Sequence, residues 1–276
     1  MYDLYPDDIG IPLSLATLSE SELKTLSKNF NSHYLVHVYG LSYTGKSTIA
    51  KLVTAVLDAH LVDENLIIQC IAYQITNSPT RYDRHEFDWY FEQLSFEKAH
   101  LGVNPRIEGK LIPLSSIITK KTSILASKLI ADEKFVTRLN QFVAEALTEL
   151  ENQKVILISS TAVPDYLQSN KFIREVIEFL CITDIETVRS RFYAEQLQKY
   201  RNLGQNEEPN NALYETIESD FEKQVLQKDL AILQTAIDSE AGLITPTSYR
   251  IDTTLLSEEQ VAVAILAKLH ELFRSL

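Results

Sequence analysis

Glycine is scarce in this chain, with seven among 276 residues, where average usage is about 7%. A glycine-dependent motif is therefore hard to produce by chance here. Basic charge is also short. The 26 Lys and Arg face 38 Asp and Glu, for a net charge of −12. That excludes the broad basic surface needed for nucleic acid or an anionic membrane. It leaves room for a nucleotide site, which needs only a few local cations. Cysteine is limited to Cys70 and Cys181, both in apolar stretches, so reduced core residues are expected. No Cys/His spacing suits zinc. No apolar run reaches the ~18 residues of a membrane span. Met1 to Asp8 lacks a basic start and a long apolar segment, so no secretory signal is expected. A cytoplasmic protein follows as the expectation. No internal repeat and no low-complexity tract is found.

What the chain does have is Gly40-Leu41-Ser42-Tyr43-Thr44-Gly45-Lys46-Ser47, which fits G-x-x-x-x-G-K-[ST], the P-loop. An apolar run, Tyr34 to Tyr39, precedes it and reads as a buried strand. A helical pattern follows from Lys46 through Ile49, Leu52, Val53, Val56 and Leu57. Strand, glycine loop and helix form the context the motif requires. In it, main-chain N–H groups and the helix N-terminus surround a phosphate. Gly45 allows close backbone approach. Gly40, Ser42, Tyr43, Thr44, Gly45, Lys46, Ser47 and Thr48 are the expected triphosphate contacts. Lys46 would reach the β- and γ-phosphates, and the Ser47 hydroxyl would hold Mg²⁺.

The length admits one large α/β domain with insertions or two small ones. Residues 1–32 precede the glycine-loop strand, with a capping box, Ser19 to Glu22, opening a short helix. This segment reads as a packing extension, or alternatively as a docking arm. A second strand, Ala59 to Asp63, places a carboxylate at its C-terminal end, the end that faces the crevice in parallel sheets. Asp63 is thus a candidate for ordering Mg²⁺ or an acceptor, and equally for capping the helix that begins near Glu64. Residues 64–77 have helical spacing. The aromatic stretch 80–100 reads as a satellite core, and Arg106 to Ile112 as a hairpin. Helical patterns follow at about 122–131 and 133–150. Further buried strands are expected at Lys154–Ser159, Val176–Ile182 and Tyr249–Asp252, with Ser160 at the crevice end of the first. Asp184 would cap a helix carrying Arg189 and Arg191. A polar break covers Asn202 to Asn211, and helical spacing resumes over 212–239. A capping box at Ser257–Gln260 opens the last helix. Strands alternating with helices imply five parallel strands covered on both faces.

The middle of the chain resembles a family. Glu108-Gly109-Lys110, Ile117-Ile118-Thr119, Ala126 to Ala131 and Phe135 to Leu139 follow the enlarged insert of the bacterial-type cytidylate kinases, among the nucleoside monophosphate kinases. Arg250 to Thr254, with Ser257, Glu259 and Val261, is similar to that family's closing strand and helix. The similarity spans roughly 34–276. It implies a P-loop nucleotide kinase fold over 33–276, with a monophosphate-binding insert at about 78–150 and a small lid at about 189–212. It implies transfer of the ATP γ-phosphoryl to CMP or dCMP, with Mg²⁺. By position it implies that Ser127 contacts the monophosphate nucleotide. Arg138 lies within one residue of a phosphate-binding arginine, whose column falls alternatively on Thr137. Arg189 and Arg191 fall on the lid helix and would meet the migrating phosphoryl. Asp63, Ser160 and Asp229 fall on the acceptor side.

The chain also departs from that pattern. Asp63-Glu64-Asn65 stands where the family has Asp-Ser-Gly. Gln69 takes the place of an arginine, and Ser159-Ser160-Thr161 takes the place of Gly-Arg-Asp. Lys228-Asp229 is what remains of Arg-Asp-x-x-Asp-x-x-Arg. Ionic contacts to a base discriminate strongly, because a wrong ligand leaves them unpaired. Hydroxyls stand in their place here. Another small phosphate acceptor, or nucleotide binding without turnover, are the two alternative functions.

Overall fold

The strand Tyr34–Tyr39 (β1) is the middle of the molecule because five of its six residues are buried. A strand covered on both faces must be apolar on both, and this one nearly is. The computed structural model describes residues 18–77, 87–99, 102–160, 175–202, 209, 211–230 and 248–274. Around β1 lie His60–Asp63 (β2), Val155–Ser159 (β6), Glu175–Ile182 (β7) and Tyr249–Asp252 (β8), in the order β2-β6-β1-β7-β8. Every pairing is parallel, with His37 opposite both Leu157 and Glu178. The expected five-stranded parallel sheet is present, flanked by helices.

Alternation along β1 sends Val36 and Val38 to one face and Leu35, His37 and Tyr39 to the other. The first face is covered by Glu20–Asn29 (α1), Lys46–Leu57 (α2) and, at the C-terminal end of the described chain, Glu258–Arg274 (α10). Leu26, Phe30, Ile49, Val53, Ile265 and Phe273 fill that layer. The opposite face carries Glu64–Asn77 (α3), Phe87–Glu92 (α4), Leu114–Ile117 (α5), Lys120–Leu129 (α6) and Glu133–Glu149 (α7). Ile67, Ile71, Phe135, Leu139 and Val143 form its core. A satellite core of Val188, Phe192, Ile217, Phe221 and Val225 joins Ile185–Asn202 (α8), Asn211–Phe221 (α9) and a π-helical turn, Glu222–Leu226.

The expected hairpin is longer than its sequence signal. Gly102–Ile107 (β4) and Lys110–Leu111 (β5) turn through Glu108 and Gly109, both at positive φ. Leu94–Ala99 (β3) adds a third, antiparallel strand. It falls inside the aromatic stretch expected only to pack. Residues 1–17, 78–86, 231–239 and most of 202–211 lie outside the described residues, as does Thr161. Among the described residues no helix is long and apolar enough to cross a membrane.

Candidate functional site

Parallel strands around β1 leave it in opposite directions, toward β2 on one side and β7 on the other, which opens a crevice at their carboxyl ends. The Gly40–Ser47 loop sits there. Gly40 has φ 143° and Gly45 has φ 84°. A Cβ on Gly40 would lie 2.3 Å from the Cys181 carbonyl oxygen, so the loop can pass β7 only as glycine. Gly45 occupies the N-cap of α2, and no side chain caps that helix. Its first N–H groups are thus left for another acceptor. Tyr43 has φ 59°, an unusual conformation for a bulky residue. Arg191 holds it there, donating to the Tyr43 carbonyl at 2.9 Å and to the Thr253 carbonyl at 2.6 Å. Thr253 Oγ1 in turn donates to the Thr44 carbonyl at 2.9 Å.

Lys46 is buried, and its ammonium donates to the Leu41 carbonyl at 2.9 Å, across its own loop. Burial pushes its pKa down to about 8, with Lys228 acting in the same direction and Asp229 and Asp63 opposing. Asp229 accepts from the Ser42 N–H at 3.2 Å and from the Ser42 hydroxyl at 2.7 Å. Asp63, at the end of β2, accepts from the Leu66 N–H at 3.1 Å and so caps α3. Burial raises its pKa. Burial likewise raises Glu64 to about 7, opposed by a hydrogen bond from the Ser160 N–H and by Lys228 and Lys46. Lys228 is lowered by burial, against Asp229, Glu64 and Asp63. Two lysines and three carboxylates thus share one desolvated cluster below the loop. Sequence reasoning did not place Glu64 or Lys228 in the site. Their only signal was position: one follows Asp63, the other precedes Asp229.

Next to this cluster lies a cavity of about 330 Å³. Ser42 and Tyr43 form one wall, Gln69 and Ser127 another, and Phe192, Glu195 and Lys228 close it. Of the expected acceptor-side residues, Ser127 lines it, with its hydroxyl bonded to the Ser123 carbonyl. Ser160 Oγ faces Asn65 Oδ1 at 3.3 Å. Arg138 is elsewhere, on α7, bonded to Asp88 at 2.6 Å and stacked over Phe91. Arg189 pairs with Glu186 at 3.1 Å and lies over Phe221. Ser47 is half-buried in the first turn of α2, and Thr48 is exposed. Among the described residues no group of three His, Cys, Asp or Glu could hold a metal by itself.

No family model matches this chain, and no curated protein does. Among solved structures, one described as a "putative kinase" from Chloroflexus aurantiacus matches with 15% identity and a TM-score of 0.40. The match covers 86% of this chain and 97% of that one. A likeness this loose establishes neither fold family nor activity.

Proposed function

We propose that this chain is a phosphotransferase with a P-loop nucleotide kinase fold. It binds ATP through the Gly40–Ser47 loop and passes the γ-phosphoryl to a small acceptor in the adjoining cavity. The observation that carries this reading is the loop itself. It combines an uncapped helix N-terminus, a glycine that the neighbouring strand leaves no room to replace, and a buried lysine that donates to a carbonyl of its own loop. Lys46 exchanges that carbonyl for phosphate oxygens when ATP arrives. Arg191 supports the loop from α8 through the Tyr43 and Thr253 carbonyls. Arg189 reaches a migrating phosphoryl only by leaving Glu186 and Glu218.

The oxygen donors of Ser47 and Asp63 suit Mg²⁺, a hard cation that takes few protein ligands and is held largely by phosphates. Once bound, Mg²⁺ would neutralise charge on the triphosphate. On this reading the residues 78–150 form the acceptor side and α8 begins the lid. The resemblance in the middle of the chain makes CMP or dCMP the acceptor it implies.

Lys46→Ala tests the assignment. Removing transition-state charge stabilisation is expected to lower kcat by on the order of 10³, with the far-ultraviolet circular dichroism spectrum and melting curve retained. Unchanged turnover, or an absence of MgATP binding to the unaltered chain in calorimetry, overturns the proposal.

A further inference from the structure

Resting on the kinase reading above, we infer that Lys228 is a second catalytic cation beside Lys46, meeting the γ-phosphoryl in transit, and that the π-helical turn before it sets its aim. Position is the first argument. Asp229 ties its stretch of helix to the loop by accepting from the Ser42 N–H and hydroxyl. Its neighbour Lys228 is thereby held at the loop, and Lys46 feels the charge of Lys228 ahead of any other ionised group. Ser42, Tyr43 and Lys228 also line the cavity. Lys228 thus stands where the donor loop meets the acceptor space, the place a phosphoryl in transit must cross. Availability is the second argument. Of the lysines that line the cavity, Lys120 bonds Asp220 at 2.7 Å and Lys199 pairs with Glu195. Lys228 is half-buried and, among the described residues, makes no hydrogen bond and no ion pair. Asp229, Glu64 and Asp63 balance its charge, but Asp229 is spent on Ser42 and Asp63 on the start of α3. The three N–H donors of its ammonium are left for a ligand. Two neighbouring ammonium groups repel each other until an anion comes between them.

Local winding is the third argument. Glu222–Leu226 is a π-helical turn, closed by the Gln227 N–H donating to the Glu222 carbonyl. Such a turn takes an extra residue into an α-helix and is frequent at functional sites. Phe221 and Val225 are buried in the satellite core, so the turn is anchored there. Taking one residue out would rotate everything beyond it by about 100° and give Lys228 the place now held by exposed Gln227. The extra residue is what brings Lys228 to the cavity and Asp229 to Ser42. In the transfer, the acceptor oxygen bonds to Pγ while the bond from Pγ to the β–γ bridging oxygen breaks, and ADP leaves with that electron pair. A proton on the acceptor oxygen, where it carries one, passes to water. Lys228 gives hydrogen bonds to the non-bridging oxygens of Pγ and transfers no proton.

The test uses the full chain with MgATP and a panel of nucleoside monophosphates, nucleosides and simple sugars, and follows ADP and phosphorylated product together. With the acceptor that gives product, Lys228→Met is expected to lower kcat about a hundredfold, while MgATP affinity in calorimetry changes little. Lys228→Arg keeps a cation there and is expected to recover part of the loss. An undiminished kcat in Lys228→Met overturns the inference and leaves the kinase reading standing. So does a rise in acceptor KM alone, which would make Lys228 an acceptor anchor. No product from any member of the panel, or no MgATP binding, overturns both. A labelling experiment on the unaltered chain guards against a variant that misfolds. Acetic anhydride modifies free amines, and burial lowers the pKa of Lys228, so that more of it is in the reactive form. Peptide mass spectrometry is expected to show Lys228 protected by the magnesium complex of a non-hydrolysable imido analogue of ATP, and less so by MgADP. Equal labelling overturns the contact with the γ-phosphoryl. Deleting Lys223, an exposed residue of the turn, is expected to reproduce the kcat loss and, by carrying Asp229 off Ser42, to weaken MgATP binding as well. A deletion variant with parental kcat overturns the role of the turn.

Discussion

Single residues carry unequal weight, and glycine shows how. Gly40 and Gly109 both have positive φ, but only Gly40 has backbone within 3 Å of a built Cβ. Gly109 has nothing within 4 Å. Gly109→Ala is therefore expected to cost only the left-handed penalty, about 1–2 kcal/mol. Gly40→Ala must also push β7 away from β1, so its urea midpoint is expected to fall further and its ATP binding to vanish. Equal midpoints for the two variants would refute the steric account. His37 is a different case. Buried in β1, it places Nδ1 3.1 Å from Glu178 Oε1 and Nε2 2.7 Å from Ser159 Oγ, linking three central strands. Ser248 Oγ donates to the same carboxylate at 3.3 Å and meets the Tyr39 hydroxyl at 2.7 Å. A polar belt inside an otherwise apolar sheet is costly if broken and fixes strand register if kept. His37→Ala takes away a partner of a buried carboxylate, and a loss of about 3 kcal/mol is expected in denaturant titration. Ser159→Ala, which leaves His37 on Glu178, is expected to cost about 1 kcal/mol.

Elements begin where their caps say. Asp184 accepts from the Thr187 N–H at 2.7 Å and the Thr187 hydroxyl at 2.9 Å, opening α8. Those bonds hold its carboxyl below the ordinary 3.8. A depressed folded-state pKa gives stability that is present above 3.8 and is lost as pH falls through the lower folded value. Asp184→Asn is therefore expected to flatten the acid side of the melting-temperature profile below that point; an unaltered profile would remove the cap from the account. Caps and buried runs explain what was legible in the sequence. Tyr34–Tyr39 and Val155–Ser159 are continuous apolar runs, so both faces had to be covered, and a parallel sheet followed. The capping boxes at Ser19 and Ser257 open α1 and α10 as expected. β3 was not legible, because Leu94-Ser95-Phe96-Glu97-Lys98-Ala99 buries only Leu94 fully, so alternation is weak. Nor was the π-helical turn, whose residues keep ordinary helical spacing. In the site, the glycine loop is local in sequence and could be read directly. The bond from Ser42 to Asp229 spans 187 positions, and no local pattern encodes it. The arginines meet the same limit: the sequence places them on α7 and α8, but packing decides what they touch.

The whole molecule sets a field that the site must overcome. The chain carries −12, and ATP is an anion. Long-range attraction to Lys46 and Lys228 is cancelled nearby by Asp63, Glu64 and Asp229. An approaching nucleotide therefore meets net repulsion until it is within contact distance. Salt shortens the reach of that repulsion, from roughly 30 Å at 0.01 M to about 8 Å at 0.15 M. Desolvated contacts in the loop are screened far less. The association rate of ATP is therefore expected to rise with salt over this range, while the dissociation rate changes little. Stopped-flow with a fluorescent ATP analogue measures both. The usual case for an anion and a basic cleft is the reverse, a rate that falls as salt is added. Observing that fall would mean that Lys46 and Lys228 project their charge into solvent despite the carboxylates beside them.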